Sequence, residues 1–200
     1  LLNCDLKTLY PLARSMNRKL EFYVGPTNSG KTYNAMKKLK EANSGLYLAP
    51  LRLLALEGYE DLKESKIEAS LITGEEQQLS EDAAHICSTI EMLDFDLEVD
   101  VAVIDEVQML EDNDRGWAWV NAIIGVPAKK VIMTGSVNAL EAVKRIVQYL
   151  DEELEVVRHK RKNPLLVLEK WTPLEKLENG TALIAFSRAE VLKLKQKLQK

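Results

Sequence analysis

The chain has 200 residues, 46% of them hydrophobic and 29% charged, and a formal net charge of −4 at pH 7. These are ordinary values for a globular protein with a sizeable core, and they provide no global basic field, so any nucleic-acid partner would need a local patch. Cys4 and Cys87 are the only cysteines, without a C-x-x-C pair, which excludes a zinc ribbon or a disulfide framework; no apolar run approaches the roughly 18 residues of a membrane span.

Short apolar runs alternate with amphipathic stretches along the whole length, the pattern of a parallel α/β sheet. Glu21–Val24 is the first predicted strand, and helix Lys31–Glu41 follows it closely. Next come strand Gly45–Ala49 and helix Leu51–Glu64, whose Leu51, Leu54, Ala55, Tyr59 and Leu62 recur near helical spacing. Strands Ala69–Ile72, His85–Ser88 and Val99–Asp105 follow; Val101–Ile104 is apolar without alternation, as expected of a strand covered on both faces. Helix Trp117–Ile124, strand Lys130–Thr134, helix Asn138–Leu150 and strand Glu153–Val157 complete the series. The basic run Arg158–Pro164 ends in a proline that disfavours helix before it, marking a boundary. Beyond it, strands Leu165–Leu168 and Thr181–Phe186 and helix Arg188–Lys200 restart the pattern. The chain begins at Leu1 without a methionine and ends inside a predicted helix, so a fragment of a longer protein is expected.

Between the first strand and its helix lie Gly25, Pro26, Thr27, Asn28, Ser29, Gly30, Lys31 and Thr32, which fit G-x-x-x-x-G-K-[ST], a phosphate-binding loop. Gly25 and Gly30 allow backbone conformations and close approaches that a Cβ would block. The loop's N–H groups would converge on phosphate oxygens at the positive end of a helix. Lys31 adds a full charge for the β- and γ-phosphates, and the Thr32 hydroxyl suits a Mg²⁺ shell. Such a loop needs a metal ligand and a group to activate water. Asp105-Glu-Val-Gln108 supplies both directly after an apolar strand, where ligands of α/β sheets bind. Asp105 is placed to hold Mg²⁺, Glu106 to orient and deprotonate water, and Gln108 to relay the state of the γ-phosphate. The fold expected from this is a RecA-like P-loop domain with a central parallel sheet over residues 1–160. The beginning of a second RecA-like domain is expected over residues 161–200.

With Asp105-Glu-Val-Gln108 as its second motif, the chain resembles superfamily-two helicases of the DExH type. The match narrows through Gly25–Tyr33, Ala49-Pro-Leu-Arg-Leu-Leu-Ala55, Thr73-Gly-Glu-Glu76, Cys87-Ser-Thr-Ile-Glu-Met92, Ala102–Met109 and Arg115-Gly-Trp-Ala-Trp119, in that order. From about Glu21 to Phe186 it is similar to the ATP-dependent RNA helicases that include the mitochondrial degradosome helicase and its bacterial relatives. That resemblance implies ATP and Mg²⁺ as cofactors, and single-stranded RNA as partner, with DNA as the other candidate. It also implies the second RecA-like domain of the same chain and an exoribonuclease as partners. The setting it implies is a bacterial cytoplasm, with the mitochondrial matrix as the alternative. Residue by residue, it puts Pro50, Leu51 and Arg52 in the first nucleic-acid motif. Thr73, Gly74, Ser88, Thr89 and Glu91 fall in later strand-gripping motifs, and Ser187 and Arg188 in the first motif of the second domain. Thr134-Gly-Ser136 takes the place of the motif coupling hydrolysis to movement, in a form that departs from the family's usual one. The family's arginine finger would lie beyond Lys200, so the piece is expected to bind ATP·Mg²⁺, hydrolyse it very slowly and unwind nothing.

Read without the resemblance, several of these residues have plainer roles. Thr73-Gly74 makes a turn, Ser88-Thr89 an N-cap, Arg52 a solvated side chain, and the basic run a solvated linker. Trp117 and Trp119 could stack on bases, but their apolar helical stretch points to the core. A thymidine-kinase-like nucleoside kinase shares the phosphate loop and the acidic strand end, although its four-cysteine zinc module has no counterpart in two cysteines. A P-loop ATPase serving as a nucleotide-gated binding module is the other alternative.

Overall fold

Apolar side chains fill consecutive rather than alternate positions of the central strands because both faces of the sheet are covered. The structure is a computed structural model that describes residues 5–161, 166–167 and 169–198. Two units are present, Leu1–Lys162 and Asn163–Lys200. In chain order the first contains α1 (Pro11–Ser15), β1 (Lys19–Val24), α2 (Lys31–Lys40), β2 (Gly45–Ala49), α3 (Arg52–Glu64), β3 (Ala69–Ile72) and β4 (Gln77–Gln78). It continues through β5 (His85–Thr89), β6 (Val99–Ile104), α4 (Gly116–Gly125), β7 (Ala128–Gly135), α5 (Leu140–Tyr149) and β8 (Leu154–Arg158).

The strands form one sheet in the order β4-β3-β5-β2-β6-β7-β1-β8. All pairings are parallel except that of β3 with the two-residue β4. On β2 the two-residue period sends Leu46 and Leu48 to one core and Tyr47 and Ala49 to the other. The first core is closed by Trp119, Ala122 and Ile123 of α4 and by Leu140, Val143 and Val147 of α5. The second is closed by Ala35, Met36 and Leu39 of α2 and by Ala55, Tyr59 and Leu62 of α3. Both helices of each layer present apolar residues three or four apart, so each lays a single stripe on the sheet. The outcome is a three-layer RecA-like α/β fold, in which β1, β7 and β6 end side by side at the carboxyl edge.

The N-terminal segment before β1 carries no periodic signal in the sequence, yet it is anchored. The buried Arg18 guanidinium donates to the carbonyls of Val126 and Ile123 at 3.0 Å each and pairs with Glu152 at 2.6 Å. Tyr10 lies against Gly125, where a Cβ would stand 2.3 Å from its ring.

In the second unit, α6 (Arg188–Leu198) forms, and its first turn is capped. Glu190 N–H donates to Ser187 Oγ at 3.2 Å and the Glu190 carboxylate accepts from Phe186 N–H at 3.2 Å. The strand expected over Thr181–Phe186 is not formed: Asn179 and Gly180 make a turn, but Thr181–Ala185 pair with no strand among the described residues. An extended segment becomes a strand only when a neighbour takes its N–H and C=O groups. Ile184 and Phe186 are accordingly exposed. Of the strand expected over Leu165–Leu168, Leu166 and Val167 are exposed and in no element, while residues 165 and 168 lie outside the described residues. Residues 162–164 of the basic run lie outside them too.

Candidate functional site

The phosphate loop grows out of the β1–β7 pairing. Gly25 N–H donates to Gly135 O at 3.2 Å, extending the ladder by one step, and His159 N–H donates to Val24 O at 2.8 Å on the other side. The loop is thereby wedged between two strand ends, and a Cβ on Gly25 would stand 2.5 Å from His159 O. Asn28 at φ 59° and Gly30 at φ 81° turn the chain so that α2 begins at Lys31. Gly30 caps α2 without a side-chain bond, which leaves the first N–H groups of the helix free for an anion. The Ser29 hydroxyl is buried in the same loop with no partner among the described residues. Lys31 is nearly buried and donates to Pro26 O at 2.7 Å. Burial pushes its pKa down; Glu106 and Asp105 oppose this, and Arg161 adds to it. Arg161 reaches this site by clamping Thr27 O with Nε at 2.9 Å and Nη2 at 2.5 Å.

Asp105 follows β6 and is 3% exposed. Its Oδ1 accepts from the Thr32 hydroxyl at 3.0 Å and from the Thr134 hydroxyl. Its Oδ2 accepts from the Tyr47 hydroxyl at 2.9 Å, and its backbone oxygen from the Trp119 indole at 2.9 Å. The carboxylate is therefore oriented from α2, β2 and β7, and its main chain from α4. Glu106 sits at φ 52°, a left-handed conformation that costs a non-glycine residue about 1–2 kcal/mol. It is held there because its N–H donates to Thr134 Oγ1 at 3.3 Å and its carboxylate accepts from Gln108 Nε2. Gln108 Oε1 in turn accepts from Ser136 N–H at 3.1 Å. Thr134 and Ser136 thus touch the acidic motif directly.

The residues fit a Mg²⁺ ion. Two oxygens bound side by side on an octahedral Mg²⁺ at about 2.1 Å stand about 3 Å apart. Thr32 Oγ1 and Asp105 Oδ1 already have that spacing. A hydroxyl and a carboxylate are also the hard oxygen donors such a cation takes.

The residues expected at a nucleic-acid surface lie at the same strand ends but divide in exposure. Leu51 is exposed, and Arg52 is half exposed, ion-paired with Glu75 at 2.5 Å and Glu76 at 3.1 Å. Pro50 is buried, and its carbonyl accepts from Arg115 Nη2 at 2.7 Å. Arg115 also pairs with Glu91 at 2.7 Å, tying α4 to the segments after β2 and β5. Thr73 is buried, its hydroxyl donating to Glu76 O at 3.1 Å and accepting from Glu76 N–H at 3.0 Å, which is the turn role. Gly74 stands open beside it. Ser88 is 1% exposed with no hydroxyl partner among the described residues, so it lies beneath the surface, with Thr89 half-buried next to it. Thr89 stands at the N-cap of the 3-10 turn Ile90–Met92, without a side-chain cap bond. Ser187 and Arg188 belong to the second unit, where Ser187 caps α6. The core expectation for the two tryptophans holds for Trp119, which is fully buried; Trp117 is 57% exposed, because α4 turns it away from the sheet.

Tyr47, Arg115 and Arg161 also belong to the site, in roles that the sequence does not announce. Tyr47 left a trace: a tyrosine in a strand buried on both faces must find a partner for its hydroxyl.

A family model described as the DEXQ-box helicase domain of Suv3 matches residues 7–159. The mitochondrial ATP-dependent RNA helicase SUV3 homolog of Caenorhabditis elegans is 40% identical over 195 residues, covering 95% of this chain and 27% of that protein. The corresponding human protein, SUPV3L1, is 40% identical over 197 residues, covering 95% and 25%. The chain spans about a quarter of the length of the curated relatives it matches. Those relatives are named mitochondrial, which fits the alternative setting and lends none to the cytoplasmic one. The structure of Saccharomyces cerevisiae Dbp5 bound to Nup159, Gle1 and ADP has a TM-score of 0.51 at 18% identity, covering 76% of this chain and 47% of that one, a likeness of fold. With its D-E-x-Q sequence at Asp105–Gln108 and most of its length matched, the chain belongs to the family of Suv3 DEXQ-box helicase domains.

Proposed function

We propose that this chain is the ATP-binding lobe of an ATP-dependent RNA helicase, taking ATP·Mg²⁺ at the carboxyl edge of its sheet and single-stranded RNA across the neighbouring strand ends. The observation that carries this reading is the 3.0 Å contact between Thr32 of the phosphate loop and Asp105 of the acidic motif. It joins positions 73 residues apart into one site.

In this reading the loop residues Gly25–Thr32 and the open N–H groups of α2 cradle the phosphates, and Lys31 neutralises the β- and γ-phosphates. Thr32 and Asp105 hold Mg²⁺, which supplies charge neutralisation when bound. Glu106 orients a water molecule toward the γ-phosphate and takes its proton. Gln108 transmits the position of Glu106 to Ser136, so that a change at the phosphates reaches the end of β7. Leu51, Arg52 and Gly74, with the segment Thr89–Glu91, form the RNA-facing rim. Pro50, Thr73 and Ser88 act beneath it as its support. Residues 161–200, including Ser187 and Arg188, belong in this proposal to a second RecA-like domain. A mitochondrial setting is supported by the names of the relatives. An exoribonuclease partner rests on the resemblance alone.

The test is binding of a fluorescent ATP analogue to the chain with and without Mg²⁺, beside binding of a short single-stranded RNA over a salt series. Mg²⁺-dependent nucleotide binding is expected, lost in Lys31→Met. RNA affinity should fall with salt at a slope of about −0.7 per phosphate contacted. Absence of nucleotide binding would refute the ATP assignment, and a flat salt series would refute the RNA rim.

A further inference from the structure

Tyr47 bears the only polar side chain of β2, and its ring lies in the core under α2 and α3, 3% exposed. Parallel pairing sets Tyr47 opposite Val103 of β6. Asp105 is two residues further along on the same face, within reach of a side chain as long as tyrosine. The phenol crosses that diagonal and donates to Oδ2 at 2.9 Å.

A second, independent feature serves the same contact. Gly58 is buried in the interior of the 13-residue helix α3, without the positive φ that would call for glycine. Glycine weakens a helix interior relative to alanine. A Cβ at this position would stand 2.6 Å from Tyr47 Cδ1 and 2.7 Å from Cε1. The missing side chain is the seat of the tyrosine ring.

We propose that Tyr47, seated on Gly58, is a positioning residue for the metal-binding carboxylate. By holding Oδ2 from the core side it fixes the direction in which Oδ1, the oxygen that accepts from Thr32 and Thr134, is presented to Mg²⁺. This inference rests on the proposed role of Asp105 as a Mg²⁺ ligand.

The experiment titrates Mg²⁺ into the chain with a fluorescent ATP analogue, for the wild type, Tyr47→Phe, Gly58→Ala, the double variant and Asp105→Asn. Circular dichroism and thermal unfolding choose a temperature at which each is folded. Groups that orient a metal ligand typically change metal affinity by about 10–100-fold. Tyr47→Phe should raise the Mg²⁺ concentration for half-maximal binding about tenfold, with metal-free nucleotide affinity unchanged. Gly58→Ala, by displacing the ring, should do likewise, and the double variant should need no more Mg²⁺ than Tyr47→Phe alone. A hydroxyl that merely satisfies the core would shift the melting temperature and leave the Mg²⁺ requirement within twofold of wild type, which overturns the inference. If Asp105→Asn loses the Mg²⁺ dependence while Tyr47→Phe keeps it, only this inference fails. If Asp105→Asn retains wild-type dependence, the metal-ligand reading fails and takes this one with it. Should Gly58→Ala not fold, Tyr47→Phe alone decides.

Discussion

Replacing Gly25 with alanine tests whether the phosphate loop is positioned by the sheet or by its own sequence. The added Cβ would meet His159 O at 2.5 Å, about 0.9 Å inside ordinary van der Waals contact, and Ser29 Oγ at 3.0 Å. The hydroxyl can rotate away. The carbonyl cannot, because His159 N–H is bonded to Val24 O at 2.8 Å and its ring packs on Tyr23 with centroids 5.2 Å apart. Overpacking of this kind costs about 1–3 kcal/mol. If the loop yields, its N–H groups leave the phosphate positions and ATP affinity falls by about 5- to 150-fold, the same free energy expressed as binding. If the end of β8 yields, unfolding free energy falls instead. The predicted quantity is therefore the sum of the two losses, read by calorimetric titration with ATP·Mg²⁺ and by urea unfolding of the nucleotide-free chain. A Gly25→Ala variant within about 0.5 kcal/mol of wild type in both would refute the idea that the strand ends set the loop.

Lys31→Met should weaken ATP binding at least about tenfold in the same titration, since a full charge at the β- and γ-phosphates is lost while an unbranched side chain fills its place. Thr134→Val removes the hydroxyl that donates to Asp105 and accepts from Glu106 N–H at a fully buried position; thermal unfolding should report a loss of about 1–3 kcal/mol, and Thr134→Ser should recover most of it. Glu21 predicts a pH effect. Burial would raise its carboxyl, but hydrogen bonds from Lys38, Lys130 and Tyr23 outweigh it and hold the pKa at about 2, below the ordinary 4.5. A lowered folded-state value means stabilisation fully present above about pH 4.5 and lost as pH falls toward 2, worth about 1–3 kcal/mol once screening at the two partly exposed lysines is allowed for. Urea unfolding between pH 2 and 6 should show that loss in the wild type and a flatter profile in Glu21→Gln.

What the sequence discloses about this protein depends on how local the determining interaction is. Strands Gly45–Ala49 and Ala69–Ile72 have the bounds read from their mainly apolar runs, because a strand buried on both faces is rich in hydrophobic residues along its length. The phosphate loop and Asp105-Glu-Val-Gln108 were equally legible, each being a contiguous pattern at a strand end. Thr181–Phe186 has the same apolar look and forms no strand, since strand formation depends on a neighbour and not on composition. Trp117 and Trp119 sit two residues apart in one apolar stretch, yet only the second reaches the sheet, because helical rotation separates them.

The contacts that orient the site are hidden for a further reason. Thr134 meets Asp105 because β6 and β7 are paired Ile104 to Met133, and Tyr47 meets it because β2 and β6 are paired Tyr47 to Val103. A slip of one residue in either register would turn the hydroxyl to the opposite face. Register is fixed by the packing of both cores at once, so no window of sequence contains it. Motifs therefore name the groups that touch ligand, while the groups that aim them come from neighbouring strands. In this domain, substitution of Tyr47 on β2 should alter metal affinity without changing any motif residue.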